Sequence, residues 1–90
     1  MTPENAEIIA LQALVHILDD YTTQKLFLDR TGLDETTLRT RVKDRDHLVG
    51  ILDYMLTDES LLTTFCNKCK VSPENAVKAW KTLSKPTLDL

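Results

Sequence analysis

The sequence predicts an all-α fold, a compact orthogonal bundle of five or six short helices. Three observations lead there. In residues 47–56, Leu48, Ile51, Leu52, Met55 and Leu56 recur at the spacing that lines one face of a helix. Thr2-Pro3-Glu4 and Ser72-Pro73-Glu74 both read as helix starts, each with a capping hydroxyl, a proline suited to the first turn and an acid at the positive dipole end. Only two Gly and three Pro occur, and β-branched residues hardly alternate, as expected of helices joined by short turns.

In chain order, the first helix carries Ile9, Ala10, Ala13, Leu14, Ile17 and Leu18 on one stripe, with Leu11 and Val15 beside it. Asn5, Gln12, His16 and Asp19 are expected on its wet face. Asp20 can cap a second helix bearing Leu26, Phe27 and Leu28, and Gly32 is a natural left-handed terminator for it. Asp34 opens a third helix, spanning 35–45 in its basic stretch, whose only apolar residues are Leu38 and Val42. Asp44 or Asp46 caps the central fourth helix. Val49 and Tyr54 widen its apolar stripe, while Asp53 falls on a stripe with Asp46, Gly50 and Thr57 that is either the helix's wet side or the place where a neighbouring backbone approaches Gly50.

Asp58-Glu59 starts a fifth helix with Leu61, Leu62, Phe65 and Cys66 facing inward. The sixth presents Ala76, Val77, Trp80 and Leu83, with Trp80 as a core plug, and Pro86 stops it. The expected organisation is a single domain over 1–84 with the first and fourth helices at its centre, followed by a flexible tail at 85–90.

A shift of 38 residues exposes an internal symmetry. Leu14 falls on Leu52, Leu18 on Leu56, Asp20 on Asp58, Phe27 on Phe65, Leu33 on Val71 and Asp34 on Ser72. Leu38 and Val42 meet Ala76 and Trp80. Core positions fall on core positions and caps on caps, which predicts a three-helix unit used twice.

Composition bounds the function. At 90 residues, 42% apolar and 28% charged, the chain is an ordinary globular domain rather than a disordered segment. The net charge of −3 is uneven: residues 1–20 carry Glu4, Glu7, Asp19 and Asp20 and no Lys or Arg. A weakly acidic whole disfavours non-specific nucleic-acid binding. The N-terminus has no basic segment followed by a long apolar run, and no stretch is long enough to span a membrane, so a cytoplasmic protein without membrane attachment is expected.

The blocks Ala10–Leu14, Phe27–Asp34, Gly50–Tyr54 and Asp58–Leu62, followed by Phe65-Cys66 and Pro73-Glu74, resemble in order and spacing the domain-of-unknown-function 3572 family. These are small, mostly alphaproteobacterial proteins. The resemblance covers residues 2–83 and implies an all-helical domain of this length, with no activity, cofactor or catalytic residue attached. Where the family-like turn before the sixth helix favours Gly, this chain has Lys70.

Cys66-Asn67-Lys68-Cys69 is a CxxC. It sits in the last turn of a helix, the end whose dipole disfavours a thiolate, and it lacks two further zinc ligands. Cys66 is read as a small buried hydrophobe, with Cys69 at the core edge. His16 and His47, 31 residues apart, have no nucleophile at a recognisable spacing and are read as non-catalytic. No catalytic residue, metal site or cofactor is expected, and the protein is read as non-enzymatic.

Phe27 to Lys43 outlines a helix-turn-helix: a helix, a Gly32 turn, capping Asp34, then Thr36, Arg39, Thr40, Arg41 and Lys43, extended by Arg45. In that motif hydroxyl and basic side chains contact phosphates and base edges. Leu28 at the helix crossing, and Asp34 with Glu35 at the leading end of the supposed recognition helix, weigh against it. A second basic group, Lys68, Lys70, Lys78, Lys81 and Lys85, surrounds the sixth helix, and Lys70, Lys78, Lys81 and Lys85 of it offer a docking face for an acidic partner. The sequence-level expectation is a protein-interaction or regulatory module whose partner is another protein. The alternative is a nucleic-acid-binding protein using the basic helix 35–45. The interaction reading requires an apolar patch on the assembled surface.

Overall fold

The computed structural model describes residues 1–84. Among them lie six helices and no strand: α1 (Pro3–Asp19), α2 (Tyr21–Thr31), α3 (Glu35–Thr40), α4 (Arg45–Thr57), α5 (Glu59–Cys69) and α6 (Pro73–Ser84). The expected tail at 85–90, with Lys85 in it, lies outside the described residues.

Short polar side chains set the helix starts. Thr2 Oγ1 accepts from the Asn5 N–H at 3.1 Å, and Ser72 Oγ from the Asn75 N–H at 3.1 Å. Asp20 accepts from Thr23 N–H, Asp34 from Thr37 N–H and Asp58 from Leu61 N–H, at 3.0, 2.7 and 3.0 Å. Asp44, not Asp46, caps α4, accepting from the N–H groups of Asp46 and His47. Each of these oxygens takes up backbone donors that the first turn of a helix leaves free.

The core is built from α1, α4 and α6, which approach one another more closely than any other helices. The expectation of a two-helix centre is therefore incomplete. Its physical reason is size: Ala6, Ala10 and Ala13 on α1 and Ala76 and Ala79 on α6 are all fully buried, and such small side chains let two helix backbones come close. Large side chains fill the remaining volume, with Ile17, Leu38, Leu48, Ile51, Leu52, Met55 and Leu83 buried around them. Burying each of these large aliphatic side chains stabilises the fold by roughly 1.5–3 kcal/mol before the entropy of ordering is subtracted. Trp80 is half-buried against this core, and its indole N–H is enclosed without a partner among the described residues.

The 38-residue symmetry extends to the element boundaries. Displacing α2 by 38 residues reproduces α5 from end to end, and α1 and α4 end at equivalent positions, Asp19 and Thr57. The aromatic contacts are reciprocal. Phe27 meets the ring of Tyr54 edge-on at 4.8 Å, and its counterpart Phe65 meets His16, the counterpart of Tyr54, edge-on at 5.7 Å. Residue i of one unit touching j of the other, with j touching i in return, is the signature of a two-fold relation. The third helices break it. α6 has 12 residues and packs on both α1 and α4, whereas α3 has 6 and makes no extended close approach to any helix.

Candidate functional site

The basic stretch does not form one helix. α3 ends at Thr40, Arg41 is its C-cap, Val42 and Lys43 form a turn, and Arg45 opens α4. The cause is local: Asp44 is committed to capping α4, its N–H donates to the Arg41 carbonyl at 3.1 Å, and the Arg41 guanidinium pairs with its carboxylate. That pair, followed by the backbone donors, holds the Asp44 carboxyl below its ordinary range. Arg39 is bound to Glu35 at 2.9 Å. Thr36 and Thr40 are exposed, but the Thr40 hydroxyl donates back to the Thr36 carbonyl. Of the proposed contact set, Thr36, Arg39, Thr40, Arg41 and Lys43 are exposed and Arg45 is half-buried, and a six-residue α3 without extensive close packing on α2 departs from the helix-turn-helix geometry.

His47, in the first turn of α4, is buried. Its Nε2–H donates to the Leu38 carbonyl at 3.3 Å and ties α3 to α4. Gly50 is exposed together with Asp46, Asp53 and Thr57, which is the wet-side alternative; an added Cβ would meet nothing within 4 Å, so among the described residues no backbone approaches it. The second basic group is partly assembled: Lys78 and Lys81 are exposed on α6 and Lys70 is exposed at the end of α5. Lys70 holds the left-handed conformation, φ 57° and ψ 40°, that the family-like glycine would adopt freely.

The CxxC thiols are free. Burial, with Cys69 beside it, pushes the Cys66 thiol above its ordinary range, so it stays protonated near neutrality. Among the described residues no group of three or more His, Cys, Asp or Glu side chains is arranged to hold a metal. No described helix is long and apolar enough to cross a membrane.

The surface feature that the sequence reading missed lies on α1. Its buried stripe faces α4 and α6, and this leaves Ile8, Leu11 and Val15 in solvent with 54%, 36% and 59% of their surface exposed. They stand at i, i+3 and i+7, on one line along the helix. Together with Gln12, His16, Asp19, Lys68 and Cys69 they line a groove of about 440 Å³ between α1 and the end of α5. Asp19 and Lys68 pair across it at 3.5 Å.

His16, expected on the wet face, packs on Phe65 and has its Nδ1 enclosed without a partner. Burial, with Lys68 nearby, lowers its pKa below 6.5 despite Asp19 and Asp20, so the ring is neutral at physiological pH. The signal available in the sequence was that α1 is apolar on more than one side, which a single buried stripe does not use up.

Ile8, Leu11, Gln12 and Val15 correspond under the 38-residue shift to Asp46, Val49, Gly50 and Asp53. Asp46, Gly50 and Asp53 are exposed on α4, and Val49 is half-buried. Two of the three exposed apolar side chains of α1 are thus acidic at the equivalent positions of α4, so the unit can be built without them.

A model of a protein family described as a protein of unknown function (DUF3572) matches residues 3–86. No curated protein and no solved structure matches the chain.

Proposed function

The chain belongs to the DUF3572 family, and we propose that it is a non-enzymatic protein-interaction or regulatory module that docks a protein partner on the outer face of α1. The observation that carries this reading is the exposed line of Ile8, Leu11 and Val15 beside a groove, a cost in solvent that the counterpart helix avoids by carrying Asp46 and Asp53. The reading places the protein in the cytoplasm, where the thiols of Cys66 and Cys69 remain reduced. The nucleic-acid alternative has weaker support, because Arg39 and Arg41 are already paired with Glu35 and Asp44 and the basic residues do not share one helix.

The test is affinity capture from source-cell lysate with the wild-type chain and with Val15→Glu, each with and without nuclease. A protein held by the wild type, lost with Val15→Glu and indifferent to nuclease supports the module. Enrichment that disappears with nuclease and persists with Val15→Glu transfers the function to the basic residues between Arg39 and Arg45.

A further inference from the structure

We propose that the occupant of the α1 groove is an amphipathic α-helix of another protein, with about two turns of apolar side chains and with Lys or Arg at the end that lies over the start of α1. The inference rests on the docking reading of α1 and adds the chemistry of the partner. Glu4, Ile8, Leu11, Val15 and Asp19 follow one another at steps of four, three, four and four residues, so they form a single line along α1. Its apolar centre, from Ile8 to Val15, is about 10 Å long at 1.5 Å per residue, which is two turns of a docked helix. A shallow apolar groove of that length is the surface that helix-in-groove recognition uses, read by anchors at i, i+3 or i+4, and i+7.

The ends of the line are charged, and the charge selects the partner. Glu4 and Asp19 terminate it, Glu7 flanks it, and residues 1–20 contain no Lys or Arg. Among the described residues Lys68 is the one cation lining the groove, and it is paired with Asp19, which offsets the negative charge at that end. Basic residues beyond the apolar anchors of a docked helix would meet Glu4 and Glu7 at the other end, over the start of α1.

The same distribution disfavours a second copy of this chain. Two α1 helices laid face to face in parallel put Glu4 on Glu4 and Asp19 on Asp19. Laid antiparallel, they put Glu4 on Asp19. Glu4 against Glu4, or against an Asp19 that Lys68 already pairs, offers no attraction, so this face lacks the charge complementarity that a second copy would need.

The experiment is a selection of displayed α-helical peptides, about 15 residues long, on the full chain, with counter-selection on Val15→Glu. Val15 is exposed and outside the core, so this variant keeps its fold, which far-ultraviolet circular dichroism checks. The expected result is a set of peptides with apolar residues at i, i+3 or i+4, and i+7 and with Lys or Arg at one end. Val15→Glu should weaken their binding by about tenfold or more. Replacing their terminal basic residues with Glu should weaken it by about tenfold at low salt and less at high salt.

Peptides that need the α1 face but carry neutral or acidic ends overturn the assigned chemistry and leave the docking reading standing. Failure to select any peptide that distinguishes wild type from Val15→Glu overturns the helix assignment, and the lysate capture then decides the docking reading separately. A concentration-dependent dimer in sedimentation velocity that Val15→Glu abolishes gives the face to a second copy instead.

Discussion

Gly32 and Lys70, 38 residues apart, hold the same left-handed backbone conformation at the ends of α2 and α5, at φ 75° and φ 57°. The capping is equivalent too: the Gly32 N–H reaches the Leu28 carbonyl, and the Lys70 N–H the Cys66 carbonyl. Only the glycine adopts this geometry without a clash between Cβ and the backbone. Lys70→Gly should therefore stabilise the fold, by about 1 kcal/mol, and Gly32→Ala should destabilise it by about the same amount. Urea unfolding of the two variants beside wild type reads both signs.

Gly50 is the opposite case. It lies inside α4 with no positive φ, and an added Cβ enters open space. Alanine restricts the unfolded chain and favours the helix, so Gly50→Ala should raise stability by about 0.5–1 kcal/mol. A lower urea midpoint would show that something in solution does approach this position.

The α1–α6 contact depends on small side chains. Ala10 is fully buried there, and Ala10→Leu should force the two backbones apart and cost about 1–3 kcal/mol or more. A leucine at exposed Val15 would not test this, because only the buried line separates the helices. Thermal unfolding monitored by circular dichroism measures the loss.

His16 gives the fold a pH dependence near neutrality. Its pKa in the folded protein is below the ordinary 6.5, so as pH falls the unfolded chain takes up the proton first. Stability is then full above about pH 6.5, declines as pH drops below it, and levels off once the folded ring also titrates. Protonation would also leave an enclosed Nδ1–H without an acceptor. The urea midpoint should fall between about pH 7.5 and about pH 5.5 in wild type and change less in His16→Gln. At still lower pH the capping carboxylates Asp20, Asp34 and Asp44, whose pKa values are lowered by their hydrogen bonds, lose their contribution in their turn.

The parts of this fold written in the sequence are those decided locally. Thr2, Asp20, Asp34, Asp58 and Ser72 announce helix starts because a short side-chain oxygen reaches its own first turn. Gly32 announces an end for an equally local reason. Phe27 and Phe65 were legible as core because the repeat set them in equivalent slots. What depends on neighbours was not legible. The length of α3 is decided by Asp44 engaging both Arg41 and the start of α4.

The burial of His16 depends on Phe65, 49 residues away in sequence. The exposure of Ile8, Leu11 and Val15 follows from where α4 and α6 settle on α1, since periodicity marks apolar faces without saying which of them a neighbour covers. The candidate site was hidden for that reason.

The most direct measurement is photo-crosslinking in living source cells, with a benzophenone amino acid placed at Leu11 in one strain and at Thr36 in another. Both positions are exposed, one on the apolar face of α1 and one on α3. Docking on α1 predicts a discrete protein adduct from Leu11 and none from Thr36. An adduct from Thr36 with none from Leu11 would contradict it and move the working surface of this protein to the basic residues.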